Sequence, residues 1–158
     1  MKVIVHTDTS NRVWITVPNI NTQNKFGEPE RENITEEQAL QRAWPLLPKD
    51  AINPQIVDWS EIPEDRTFRD GLVHRDGKVF HDIDKCREVW KVKVRLKRKT
   101  LLERLDVEYM TAQERGDVVA VSDVMKRKQE LRDVTKMADQ VGTVEELKLL
   151  HPACLRPK

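Results

Sequence analysis

Residues 83–115 run IDKCREVWKVKVRLKRKTLLERLDVEYMTAQER, without a proline or a glycine. At about 100° per residue, Ile83, Trp90, Val94, Leu101, Leu105 and Ala112 fall on one face. Val89, Val92, Leu96, Val107 and Met110 fall on a roughly opposite face. The segment Trp90-Lys91-Val92-Lys93-Val94-Arg95-Leu96 also alternates with period two, which is a strand pattern. The length of the run, its lack of breakers and the later 3–4 spacing decide for a helix about 50 Å long. A helix with two apolar faces touches two things at once. Either both stripes are core, or one of them packs on another chain.

Downstream, Gly116-Asp117 has the composition of a turn followed by an N-cap. A second helix is expected from about Val118 to Lys136, with Val121, Val124, Met125, Leu131 and Val134 near one stripe and Lys128 interrupting it. Two helices joined this closely pack as an antiparallel hairpin. Thr143-Val144-Glu145-Glu146 is a capping box that opens a short helix running to Leu150, ahead of Pro152.

Upstream, the character is different. Val3–His6 and Arg12–Val17 flank the turn residues Asp8-Thr9-Ser10-Asn11, which predicts a hairpin. Residues 19–33 carry four Asn, Gly27 and Pro29 and are expected to be a loop. Thr35-Glu36-Glu37-Gln38 is a capping box for a helix with Ala39, Leu40, Ala43 and Trp44, stopped by Pro45 and Pro48. Ile56–Trp59 resembles a strand bounded by Pro54 and Pro63. Asp76-Gly77 between Leu72–Arg75 and Lys78–His81 predicts a second hairpin with a type I′ turn. The fold expected is α+β: a small β-hairpin-rich head over residues 1–82, then an antiparallel helical hairpin with a short last helix over residues 83–158.

Composition narrows the function classes. The chain has 158 residues, 38% apolar and 35% charged, so much of its surface is exposed. No apolar run approaches the 18 or so residues of a membrane span, and the run at Met1–Val5 is too short for a signal peptide. Cys86 and Cys154 make no disulfide framework. The 28 Lys and Arg against 27 Asp and Glu leave a net charge of +1, which argues against a dedicated nucleic-acid binder.

The chemistry-bearing residues have plain readings. His74, His81 and Cys86 with Asp82 and Asp84 match no zinc spacing, so no metal or other cofactor is expected. Cys86 sits early in a helix, where the dipole favours a thiolate, but a nucleophile needs a base beside it and a small core residue is the simpler reading. Asp58, Glu61, Glu64, Asp65 and Asp70 interleave with Arg66 and Arg69, as braced loops do, and no glycine-rich phosphate loop occurs. Lys91, Lys93, Arg95, Lys97, Arg98 and Lys99 are the one basic run, a candidate for phosphate contacts. Glu103, Asp106, Glu108 and Glu114 follow on the same helix and offset it.

Several segments carry a family resemblance. They are Asp65–Asp70, the hairpin through Gly77-Lys78-Val79, Asp84-Lys85-Cys86-Arg87-Glu88, Leu105–Met110, Lys128–Thr135, and Thr143–Lys148 ahead of His151-Pro152. Over about residues 63–152 the chain resembles a family of small bacteriophage tail proteins, described as tail-fibre assembly or tail-assembly-chaperone-like proteins. His151 stands where that family often has tryptophan. The resemblance implies an N-terminal head, a helical hairpin, and binding to a tail-fibre or baseplate protein. The chain would then be found in the virion tail, or in the host cytoplasm during assembly. It implies no active-site residues.

The expectation is therefore a non-enzymatic tail component that acts by protein–protein binding in fibre attachment or assembly. Its alternative is a transient fibre chaperone absent from the virion, with a nucleic-acid-binding accessory protein behind both. A homo-oligomer is compatible with each. The residues expected to bind a partner are Trp90, Val92, Val94, Leu96, Leu101, Leu105, Val107 and Met110, with the choice between the two stripes open.

Overall fold

The computed structural model describes residues 1–20 and 34–155. The chain is an α+β protein that divides into two compact units, Met1–Asp82 and Ile83–Lys158.

In the first unit, β1 (Lys2–Thr7), β2 (Val13–Thr16) and β3 (Ile52–Asp58) form an antiparallel sheet in the order β2-β1-β3. Val5 pairs with Ile15 and Val3 with Val57. Side chains alternate across a strand, so Val3 and Val5 share one face with Val13, Ile15 and Val57. That face packs on Ile62 and on Leu72 and Val79 of a second hairpin, β4 (Leu72–Arg75) and β5 (Lys78–His81). Ile4 and His6, on the other face of β1, are also buried. Helix α1 (Glu36–Ala43) contacts β1 and buries Ala39 and Leu40. A central strand buried on both faces reads as a continuous apolar run, as Val3-Ile4-Val5 does.

Local chemistry sets the turns. The Asp8 carboxylate accepts from the Ser10 and Arg12 amides and from the Trp14 indole N–H at 2.8, 3.0 and 2.9 Å. These bonds, that of Trp14 first, hold its pKa below the ordinary carboxylate value. Asp76 and Gly77 take φ of 53° and 73°, the left-handed pair that a type I′ turn requires. The Thr35 capping box is complete in both directions.

The strand expected at Ile56–Trp59 is longer and earlier than the sequence suggested. It begins at Ile52, passes through Pro54, and ends at Asp58, where Trp59 opens a 3-10 turn. Pro54 is tolerated because β3 is an edge strand, and Asn53 at φ 48° beside a register shift opposite Val5–Thr7 makes the bulge. The loop expected over residues 19–33 lies outside the described residues from position 21 onward.

The second unit is built on α2 (Ile83–Glu114), which is 32 residues long. The period-two alternation at Trp90–Leu96 is therefore carried by a helix. Gly116 at φ 67° turns the chain, the Asp117 side chain caps α3 (Val118–Asp133) by accepting from the Ala120 amide, and α3 runs back along α2. The expected continuation to Lys136 is not α-helical. Residues Val134–Gln140 tighten into a 3-10 helix. Helix α4 (Val144–Leu149) follows behind a complete Thr143–Glu146 capping box.

Two outcomes are expected. Nothing lies within 4 Å of a Cβ placed on Gly116, so Gly116→Ala should cost only the left-handed backbone penalty, about 1 kcal/mol by chemical denaturation, and Gly116→Asn clearly less. His6 and His74 are both pushed below the ordinary imidazole value by burial, with Asp50 and Asp8 partly opposing this at His6. Each takes up its proton at lower pH in the fold than in the unfolded chain, so stability is lost as pH falls below about 6.5. The thermal midpoint should drop between pH 7 and pH 5, and His6→Leu, which removes a buried Nδ1 that has no hydrogen-bond partner, should flatten that drop.

Candidate functional site

Helix α2 presents its two stripes very differently. Trp90, Val94 and Leu105 are 7%, 4% and 3% exposed, and Ala112 and Cys86 are buried with them. Val92, Leu96, Val107 and Met110 are 50%, 70%, 65% and 61% exposed. The first stripe is internal and the second faces outward.

Around Leu105 the internal stripe is covered by residues downstream. Leu105 packs with Val124 and Leu131 of α3, and half-buried Leu101, Leu102, Tyr109, Cys154 and Leu155 close around them. The 3-10 segment and α4 also contact α2, and bring the buried residues Val134, Ala138 and Leu147 to the unit. Trp90, Val94 and Leu105 are thus internal packing residues, with Leu101 half-buried beside them. The four outward residues remain as the candidate site.

Polar groups fix α2 against its cover. The Arg98 guanidinium donates to the carbonyls of Leu131 and Arg132 at 3.2 and 2.9 Å, near the end of α3 where carbonyls lack helical partners. Arg87 donates to the Val141 carbonyl at 2.6 and 3.2 Å. Lys128 pairs with Asp106 at 2.6 Å and lies over the Tyr109 ring at 5.0 Å. Arg127 pairs with Glu108 at 2.7 Å. Lys128 therefore does not interrupt the packing of α3, because its stem lies along α2 while its charge is paired. Met125, placed on the internal stripe by sequence spacing, is exposed instead.

The basic run does not form a basic face. Lys91 is held by Asp139 and Glu88 at 2.7 and 2.8 Å, and these hydrogen bonds, that to Asp139 first, raise its pKa. Arg98 is committed to α3 carbonyls. The others point in different directions around the helix, since the run covers more than two turns.

The remaining candidates fall into structural roles. Cys86 is fully buried, and burial pushes the Cys154 thiol pKa up. The Asp84 carboxylate accepts from Arg87 at 2.5 Å. Pairing of Leu72 with His81 and of His74 with Val79 sets the two histidines diagonally on the β4–β5 hairpin. Among the described residues no three His, Cys, Asp or Glu side chains are grouped to hold a metal ion. In the acidic stretch, Asp65 accepts from the Thr67 amide at 2.7 Å and Arg66 stacks on Trp59 at 5.6 Å, which brace the loop. Sequence spacing did not single out Val118 and Val119, exposed at the start of α3. Two valines immediately after an N-cap were the only signal.

Among the described residues no helix is long and apolar enough to cross a membrane. Comparison with models of protein families, with curated proteins and with solved structures returned no match.

The two stripes should separate cleanly by mutation. Leu105→Ala should lower stability by about 2–5 kcal/mol, as for other buried leucines. Val107→Ala, two positions away, should stay within about 0.5 kcal/mol of the parent. Urea denaturation followed by helical circular dichroism measures both.

Proposed function

We propose that this chain is a protein-binding component of a bacteriophage tail, and that it acts by covering apolar surface on a tail-fibre or baseplate protein. The observation that carries the binding role is the outward stripe of α2. Val92, Leu96, Val107 and Met110 are half or more exposed on a helix whose opposite side is already packed. Large apolar side chains gathered along one face, rather than scattered singly, mark an interaction surface. The resemblance over residues 63–152 supplies the tail setting.

Magnitudes define what the stripe does. Fully burying a Val, Leu or Met is worth roughly 1.5–3 kcal/mol. Completing the burial of four such residues, each already partly covered, adds about 5 kcal/mol. Association itself costs roughly 4–15 kcal/mol. The stripe is thus an anchor that further contacts must supplement. The charged residues flanking it, Lys85, Glu88, Lys99, Glu103 and Glu114, select orientation and partner more than they add affinity.

Leu96→Asp and Met110→Asp should each abolish capture of the fibre or baseplate protein while leaving the helical circular dichroism unchanged. Retained capture by both folded variants would remove the stripe from the mechanism. Mass spectrometry of purified particles beside infected-cell lysate then separates a subunit from a chaperone. A fixed ratio to fibre protein in particles is expected of a permanent subunit. Presence only in lysate, bound to fibre, identifies a chaperone.

A further inference from the structure

The outward stripe keeps its apolar order when read in either direction, while its two central charges exchange sign. Along α2 it runs Val92, Leu96, Lys99, Glu103, Val107, Met110. Two apolar residues are followed by a cation, an anion, and two apolar residues. With about 100° per residue, all six fall within a band of about 80°. A point between Lys99 and Glu103 divides the stripe into halves of equal length and opposite charge.

We propose that this face pairs with the same face of a second copy, α2 against α2 in antiparallel register, so that the free protein is a two-fold dimer. The proposal rests on the reading of the stripe as a docking face and names its occupant when no fibre is bound. Laid antiparallel about the midpoint, Val92 meets Met110 of the second copy, Leu96 meets Val107, and Lys99 meets Glu103. The two-fold repeats each contact, so every apolar residue is covered by an apolar residue and both central charges are paired. A parallel arrangement would stack Lys99 on Lys99 and Glu103 on Glu103, which repel.

A further observation favours a second copy. Lys99 and Glu103 are exposed, and among the described residues neither is held in an ion pair. Within one helix, Lys four residues before Glu is the weaker order for pairing, so both charges stay available. Self-pairing would then shelter the stripe until a fibre or baseplate protein displaces one copy.

The test is sedimentation equilibrium of the full chain across a micromolar dilution series, with charge reversal. The parent should sediment at twice its 18.5 kDa. Lys99→Glu, which places two like-charge pairs at the centre, should raise the dissociation constant at least about tenfold. The double variant Lys99→Glu with Glu103→Lys restores opposite charges and should return it to near the parent value. A parent that is monomeric throughout overturns the proposal. So does a dimer that Lys99→Glu leaves unchanged, or one that the double variant fails to restore. Fibre capture is scored separately on the parent chain. Capture by a parent that is monomeric throughout removes the self-pairing alone, whereas a dimeric parent without capture removes the fibre-binding role and leaves the pairing standing.

Discussion

A helix of 32 residues with Trp90, Val94, Leu105 and Ala112 along one side cannot stand in water without a cover. Isolated helices draw little stability from propensity and much from packing of an apolar face. The rest of the second unit is arranged by that need. Gly116 reverses the chain, α3 returns along the C-terminal half of α2, and the 3-10 run and α4 add Val134, Ala138 and Leu147. The return path must be long enough to match the helix, and no single helix after Gly116 is. Three short elements in series do what one long one would.

Polar contacts then fix the register that the apolar contacts leave loose. Arg98 ties α2 to the last carbonyls of α3, and Arg87 ties it to the chain between the 3-10 run and α4. Both are charge-assisted bonds to groups that a helix end or a connecting segment would otherwise leave to solvent. The ion pairs Asp106–Lys128 and Glu108–Arg127 lie at the surface, where such pairs contribute at most about 1 kcal/mol. Their value is in discriminating one sliding position from another. The same arrangement spends Lys91 and Arg98 on internal contacts, which is why six basic residues in nine positions do not make a basic face.

What was legible in the sequence was chemistry that acts within a few residues. Asp76-Gly77, the two capping boxes and the Gly116-Asp117 reversal each needed only their neighbours, and each stands where the sequence placed it. The length of α2 was legible because nothing in residues 83–115 breaks a helix. The identity of its inner face was not. Val92, Leu96, Val107 and Met110 are as apolar as Trp90, Val94, Leu101 and Leu105, so the helix alone does not rank them. The ranking comes from Val124, Leu131 and Val134, many turns later in the chain. Met125 and Pro54 were misplaced for related reasons. Spacing put Met125 on the stripe with Val124 and Leu131, but it stands a step outside the buried arc of α3, and Pro54 is allowed only because β3 happens to be an edge.

The position of β1 in its sheet has a bearing on how the protein is made. It precedes β2 and β3 in the chain and is the central strand in the finished sheet, with β2 on one edge and β3 on the other. Its pairing with β2 can close almost at once, across the Asp8 turn. Val3 must wait for Val57, and Leu72 and Val79 arrive later still. Distant pairings of this kind carry a loop-closure cost and slow folding. Until they form, Val3, Ile4 and Val5 stand exposed as an apolar strand with one open edge, the kind of segment that associates with other chains during synthesis.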